Sequence, residues 1–167
     1  NQQDPLASGF TASAPFGTID LNLGWRFKAN ASDIVVTQLG CNFPAGAPGV
    51  TVTLFDVASQ SVLAQEVCGP GTGWQFKNLS NPVALTNGNE YVIAGLILGT
   101  IGPYVNSAPP ASWIPTGDIQ LLDNQYVASS SPSVFPATSI GAAQYGVVDF
   151  GYANGLVITS PTQLPNA

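Results

Sequence analysis

Apolar and polar residues alternate in the first third of the chain. Ile19, Leu21, Leu23, Trp25 and Phe27 fall on one side of an extended backbone, and the residues between them are mainly polar or charged. A period of two is typical of a β-strand that buries one face. The pattern therefore predicts a half-buried strand at 19–28.

Similar short patterns recur along the chain, separated by clusters of Gly, Pro, Asn and Ser that favour turns. Further strands are predicted at 33–43, 50–57, 62–68, 74–79, 90–98, 118–123, 144–152 and 155–160. No window keeps a helical period through the Gly and Pro residues. The sequence thus predicts an all-β fold, an antiparallel β-sandwich or jelly-roll-like domain of about eight to ten strands.

The predicted strand 90–98 differs from the others because it is apolar on both faces. Such a strand is either central and covered on each side, or its second face meets another subunit. Both alternatives remain open from the sequence.

Charge is scarce, with three basic and nine acidic residues among 167, no histidine and a net charge of −6. Arg26, Lys28 and Lys77 are too few to neutralise a phosphate backbone, which excludes nucleic acid as a partner and argues against an anionic membrane surface. The longest apolar run, from Tyr91, meets Gly and Pro after about a dozen residues, and a membrane-spanning helix needs about 20 apolar residues. We expect no membrane span.

The chain is of single-domain length. We expect one β-sandwich domain at 17–160, an extended N-terminal tail at 1–16 and a C-terminal tail at 161–167. The N-terminal tail carries one charge, at Asp4, and is a candidate donor strand for a neighbouring copy; packing on its own subunit is equally compatible with the sequence. The absence of a leader pattern at Asn1 suits a processed, extracellular protein.

Cys41 and Cys68 each end a predicted strand. A disulfide between them is the economical interpretation and would indicate an oxidising compartment. Two buried free thiols are the alternative.

Most catalytic arrangements are excluded by the composition. Without histidine, Ser-His-Asp and Cys-His sites cannot form, and the acidic residues are too scattered to predict a glycosidase pair. We therefore expect no enzyme activity and no cofactor. Asp118 and Asp123 flank one predicted strand and are weak calcium candidates, although ordinary surface carboxylates explain them better.

Two further types of site are suggested by individual residues. Tyr104 and Trp113 lie in a loop rich in Gly and Pro, where a ring could stack on a sugar or fold back to cap the domain. Asn30 and Asn78 each begin an N-x-S pattern for N-glycosylation.

Several segments together resemble a known family. GWRF (24–27), TQLG (37–40), GWQF (73–76) and PVALTNGNEYVIAG (82–95) are similar to a bacterial secreted β-sandwich domain of unknown function, which occurs in extracellular and PEP-CTERM-type surface proteins. The resemblance implies a β-sandwich fold and an extracellular or cell-surface location. It supplies no catalytic or binding residues, and the cysteine pair and the low charge depart from it.

These observations favour a secreted structural or adhesive surface protein that self-assembles into a filament or matrix by β-strand addition. Its partner would be a second copy of itself. The alternative is a non-catalytic carbohydrate-binding module that uses Tyr104 and Trp113 to bind surface glycans.

Overall fold

The computed structural model describes residues 2–3, 19–43, 49–99, 105–106, 117–141, 144–145 and 148–155. In this part of the chain all regular structure is β. The strands are β1 (Gln2–Gln3), β2 (Leu21–Ala29), β3 (Ile34–Phe43), β4 (Val50–Asp56), β5 (Val62–Cys68), β6 (Gly73–Ala84), β7 (Glu90–Ile97), β8 (Val105–Asn106), β9 (Ile119–Ala128), β10 (Thr138–Gly141), β11 (Gln144–Tyr145) and β12 (Val148–Asn154). Nine of them have four residues or more, so the all-β prediction is confirmed.

The strands form two main antiparallel sheets. One has the order β1-β12-β3-β6 and the other β10-β9-β2-β7-β4-β5, while β8 and β11 form a separate pair. Within the described residues there is no helix long and apolar enough to cross a membrane.

One cluster of buried side chains joins the two sheets and makes the fold β-sandwich-like. Trp25 of β2 is 1% exposed, stacks on Phe150 of β12 with ring centroids 5.6 Å apart, and donates its indole N–H to the Val148 carbonyl at 3.0 Å. Phe27 stacks on the same Phe150 ring at 4.7 Å. The alternation that predicted a half-buried strand thus correctly placed these rings in the core.

The apolar second face of β7 is covered by the same chain. β7 lies between β2 and β4, and its outward residues Val92 and Ala94 form a small buried cluster with Phe55, against which Phe135 packs. Phe55 and Phe135 meet edge to face at 5.6 Å. Of the two alternatives for this strand, the first is confirmed, and its apolar character supplies no argument for a subunit contact.

The segment 129–136 is fixed across this outer face by hydrogen bonds. The buried Asn22 amide donates to the carbonyls of Pro132 at 3.1 Å and Val134 at 2.8 Å, and the Thr53 hydroxyl also donates to Pro132. These bonds satisfy the donor end of the buried Asn22 side chain. A stretch of low-complexity sequence therefore acts as a cover for the six-stranded sheet.

The final predicted hairpin is changed. Val148–Asn154 pairs with β3 on one side and with Gln2–Gln3 on the other, whereas the predicted strand 155–160 lies, after Gly155, outside the described residues. The first described residues of the N-terminal tail therefore pack on their own subunit.

We predict that Asn22→Asp destabilises the protein by about 1 to 3 kcal/mol at neutral pH, because it replaces a donor with a carboxylate that faces two carbonyl oxygens. The pKa of the new carboxyl would be raised, so the loss should shrink as the pH falls and the protonated acid regains a donor. Urea unfolding across the acidic range measures both effects. Asn30→Asp, at an exposed turn, is the control, and equal losses in the two variants would contradict the role given to Asn22.

Candidate functional site

Two open sheets have four edges, and each edge presents backbone N–H and C=O groups that another strand can bind. Natural proteins protect such edges by short strands, bulges, proline, charged residues or a cover. Among the described residues, the edges of the two main sheets are β1 and β6 in one and β10 and β5 in the other.

Three of the four edges carry these protections. β1 is only two residues long, and β10 has four residues with a bulge between Ser139 and Gly141. β6 is long, but it contains Lys77 and Pro82, and its pairing with β3 is interrupted where Thr37 alone faces the residues 79–82. These strands are poor templates for a neighbouring chain.

The fourth edge, β5, is different. Its sequence VLAQEVC contains no lysine, arginine or proline, and Glu66 is its single charge. Val62, Leu63 and Val67 are 40%, 37% and 55% exposed, an unusual concentration of exposed apolar side chains on one seven-residue strand. Among the described residues, β4 is the one strand that pairs with it. One bulge, at Leu63, lies at the start of the strand.

The turn between β4 and β5 holds this edge in position. The Asp56 carboxylate accepts hydrogen bonds from the Ser59 backbone N–H at 2.8 Å and from the Ser59 hydroxyl at 2.6 Å, and Gln60 takes a left-handed backbone with φ 55°. The two hydrogen bonds from Ser59 lower the pKa of Asp56. An Asp at the start of a turn commonly makes such contacts. These contacts close the β4–β5 hairpin through residues that are neighbours in the sequence.

On the outer face of the sheet, Gln65 connects β5 to the cover described above. Its amide donates to the Thr53 hydroxyl at 2.9 Å and reaches the Ser133 hydroxyl at 3.4 Å. On the other side, a groove of about 190 Å³ separates β5 from the bulged part of β6, with Glu66, Leu79 and Asn81 among its walls. The groove is small and polar, whereas the exposed edge is apolar.

The two cysteines meet at the end of this edge. Cys41 of β3 and Cys68 of β5 belong to different sheets, and both are buried free thiols, so the predicted disulfide is not confirmed. The Cys68 thiol lies 3.2 Å from the Leu39 carbonyl, to which it donates. A hydrogen bond with the Cys41 thiol, and then burial, raise the pKa of Cys68. The protonated form of Cys68 is thus stabilised, and its thiol is hydrogen-bonded to β3, the strand that carries Cys41.

The calcium candidates are separated into different contacts. The Asp118 carboxylate accepts a hydrogen bond from the Asn154 amide, while Asp123 faces the Arg26 guanidinium at 3.1 Å and accepts from the Ser139 hydroxyl at 2.8 Å. Within the described ranges no group of three acidic or cysteine residues could hold a metal ion. Asp123 therefore has a structural role in linking β9 to β2 and β10.

The glycosylation candidates are both exposed. Asn30 lies in the turn before β3, and Asn78 lies within β6, where its side-chain carbonyl accepts from the Gln38 amide at 2.5 Å. Tyr104 and Trp113 lie outside the described residues, so the carbohydrate-binding hypothesis stays a prediction.

In comparisons with known proteins, no family model matches the chain, and no curated protein is similar to it.

We predict that the reduced protein loses stability as the pH rises above the ordinary thiol pKa of about 8.5. The native Cys68 holds its proton more tightly than the unfolded chain, so its contribution is complete at lower pH and is lost in alkali. Burial, followed by the charges of Asp118 and Asp149, also raises the pKa of Tyr152, which acts in the same direction.

Urea unfolding of the reduced chain and of Tyr152→Phe, between about pH 7 and pH 10, separates the two groups. The thiol contribution should persist in the Phe variant. An alkaline loss that disappears entirely in Tyr152→Phe would contradict the assignment to Cys68.

Proposed function

We propose that this protein is a secreted structural or adhesive surface protein that assembles with copies of itself by β-strand addition, into a filament or matrix. The observation that carries the proposal is the edge strand β5. Within the described part of the chain its outer backbone groups face no further strand, and it has three exposed apolar side chains and no lysine, arginine or proline. Strand addition at such an edge gains main-chain hydrogen bonds and buries apolar surface in one step.

The low charge of the chain supports assembly. Net charge normally keeps protein molecules apart, and here only 12 of 167 residues are charged, with Glu66 alone on β5. Copies can therefore approach along this edge with little electrostatic penalty. Two features support the proposed extracellular location: the resemblance to a secreted β-sandwich domain and a disulfide between the two cysteines, which we also propose.

We also propose that the two sheets form a jelly-roll-like β-sandwich. The connections β2 to β3, β3 to β4, β5 to β6 and β6 to β7 all pass between the sheets, as they do in Greek-key sandwiches.

The same proposal includes a disulfide between Cys41 and Cys68 in an oxidising compartment. Each thiol loses a proton and the pair gives two electrons to a small-molecule disulfide such as oxidised glutathione, which leaves as two thiols. The geometry supports this step because both thiols are buried and free, and the Cys68 thiol donates to the Leu39 carbonyl of β3, the strand that carries Cys41. The bond would join β3 to β5 and so fasten the interacting edge to the opposite sheet.

We predict that Val67→Lys weakens self-association, because it places a charge at the most exposed apolar residue of the edge. Sedimentation analysis and electron microscopy of the native chain should show assemblies that the variant forms only at higher concentration. Ile19→Lys is a matched control: Ile19 is also exposed, at 58%, but precedes β2, which is separated from β5 by β7 and β4. A native chain that stays monomeric at all concentrations, or equal effects of the two substitutions, would refute the proposal.

We predict that oxidation removes both thiols and raises the free energy of unfolding by about 3 to 4 kcal/mol. Intact mass spectrometry after alkylation under denaturing conditions counts the free thiols, and urea unfolding of the oxidised and reduced chains gives the difference in stability. Two alkylated cysteines after incubation with oxidised glutathione would rule the disulfide out.

A further inference from the structure

The sequence of β5 is compatible with itself when two copies run antiparallel, and this property allows the contact to be specified. A symmetric pair must keep the outer face of one sheet continuous with the outer face of the other, because directly opposed residues in a ladder point to the same side. This restricts the two-fold axis to positions that match outward residues with outward residues.

The side-chain directions along β5 follow from its pairing with β4. Ala64, Glu66 and Cys68 lie opposite Leu54, Val52 and Val50, whose side chains belong to the core. Gln65 and Val67 lie opposite Thr53 and Thr51 and therefore face outward. An axis through a single residue preserves these directions.

Charge argues against one of the possible axes, and apolar contact favours another. An axis at Glu66 would place the Glu66 carboxylates of the two copies directly opposite each other, and like charges in that position are destabilising. An axis at Gln65 instead pairs Glu66 with Ala64 of the second copy. The exposed Val67 then meets Leu63, and the same contact is repeated on the other side of the axis.

We infer that the protein forms a symmetric dimer through antiparallel pairing of β5 with β5 of a second copy, centred on Gln65. This inference rests on the proposed function and names its partner and register. The two six-stranded sheets become one sheet of twelve strands, and the most exposed apolar residue of the edge, Val67 at 55%, is covered in both copies.

A symmetric contact of this kind closes on itself and cannot alone produce a filament. The dimer is then the repeating unit, and growth requires a second contact.

Variants with one added cysteine test the register of the pair. In the inferred pair, two residues at position 65 face each other with Cβ atoms about 5 Å apart, whereas two residues at position 67 are four positions out of register and about 13 Å apart. Mild oxidation should therefore convert Gln65→Cys, but not Val67→Cys or the native chain, to a covalent dimer on non-reducing gels. A mixture of Leu63→Cys and Val67→Cys should give the crosslinked heterodimer.

The outcomes separate this inference from the proposed function. Gln65 and Val67 are exposed, so both variants are expected to fold, and urea unfolding verifies this before crosslinking. A native chain that assembles while Gln65→Cys does not crosslink, or crosslinks no faster than Val67→Cys, overturns the register and leaves assembly standing. A native chain that remains monomeric overturns both.

Discussion

Backbone hydrogen bonding sets the constraint on which the rest of this structure depends. Each strand must pair its N–H and C=O groups, and a sheet that does not close into a barrel leaves one row of these groups at each edge. The core, in which Trp25 and Phe27 pack against Phe150, holds two such open sheets together. What the protein can do then depends on how each of the four edges is treated.

The edge strands are not equally protected against pairing with another chain. Short length limits β1 and β10, and a bulge with Pro82 interrupts β6. Only β5 among these edges keeps a mainly apolar, exposed strand, and the thiol of Cys68 ties its end to the opposite sheet through its hydrogen bond to the Leu39 carbonyl. Glu66 is the single charge on β5, so few like charges oppose pairing of this edge.

The sequence predicted where the strands lie along the chain better than which strands pair with each other. The bounds of β5 were predicted at 62–68, because the flanking turns are clear, but alternation within a strand does not say which strand lies beside it. The predicted strand stopped at Asp123, whereas β9 continues to Ala128. The prediction stopped early because Asn124 and Gln125 are buried polar residues, which break an apolar pattern. Asn22 was likewise predicted to face solvent, although it is buried. The carbonyls of 129–136 that accept its amide hydrogens are more than 100 residues away.

Amide hydrogen exchange in β5 as a function of protein concentration tests whether this edge pairs with a second copy. Edge amides of an unpaired strand exchange quickly, whereas amides in a ladder are protected. If β5 pairs with a second copy, protection of the amides among 63–67 that point away from β4 rises with concentration, while the amides of β10, the opposite edge of the same sheet, stay unchanged. Rapid exchange of these amides at every concentration would contradict the pairing.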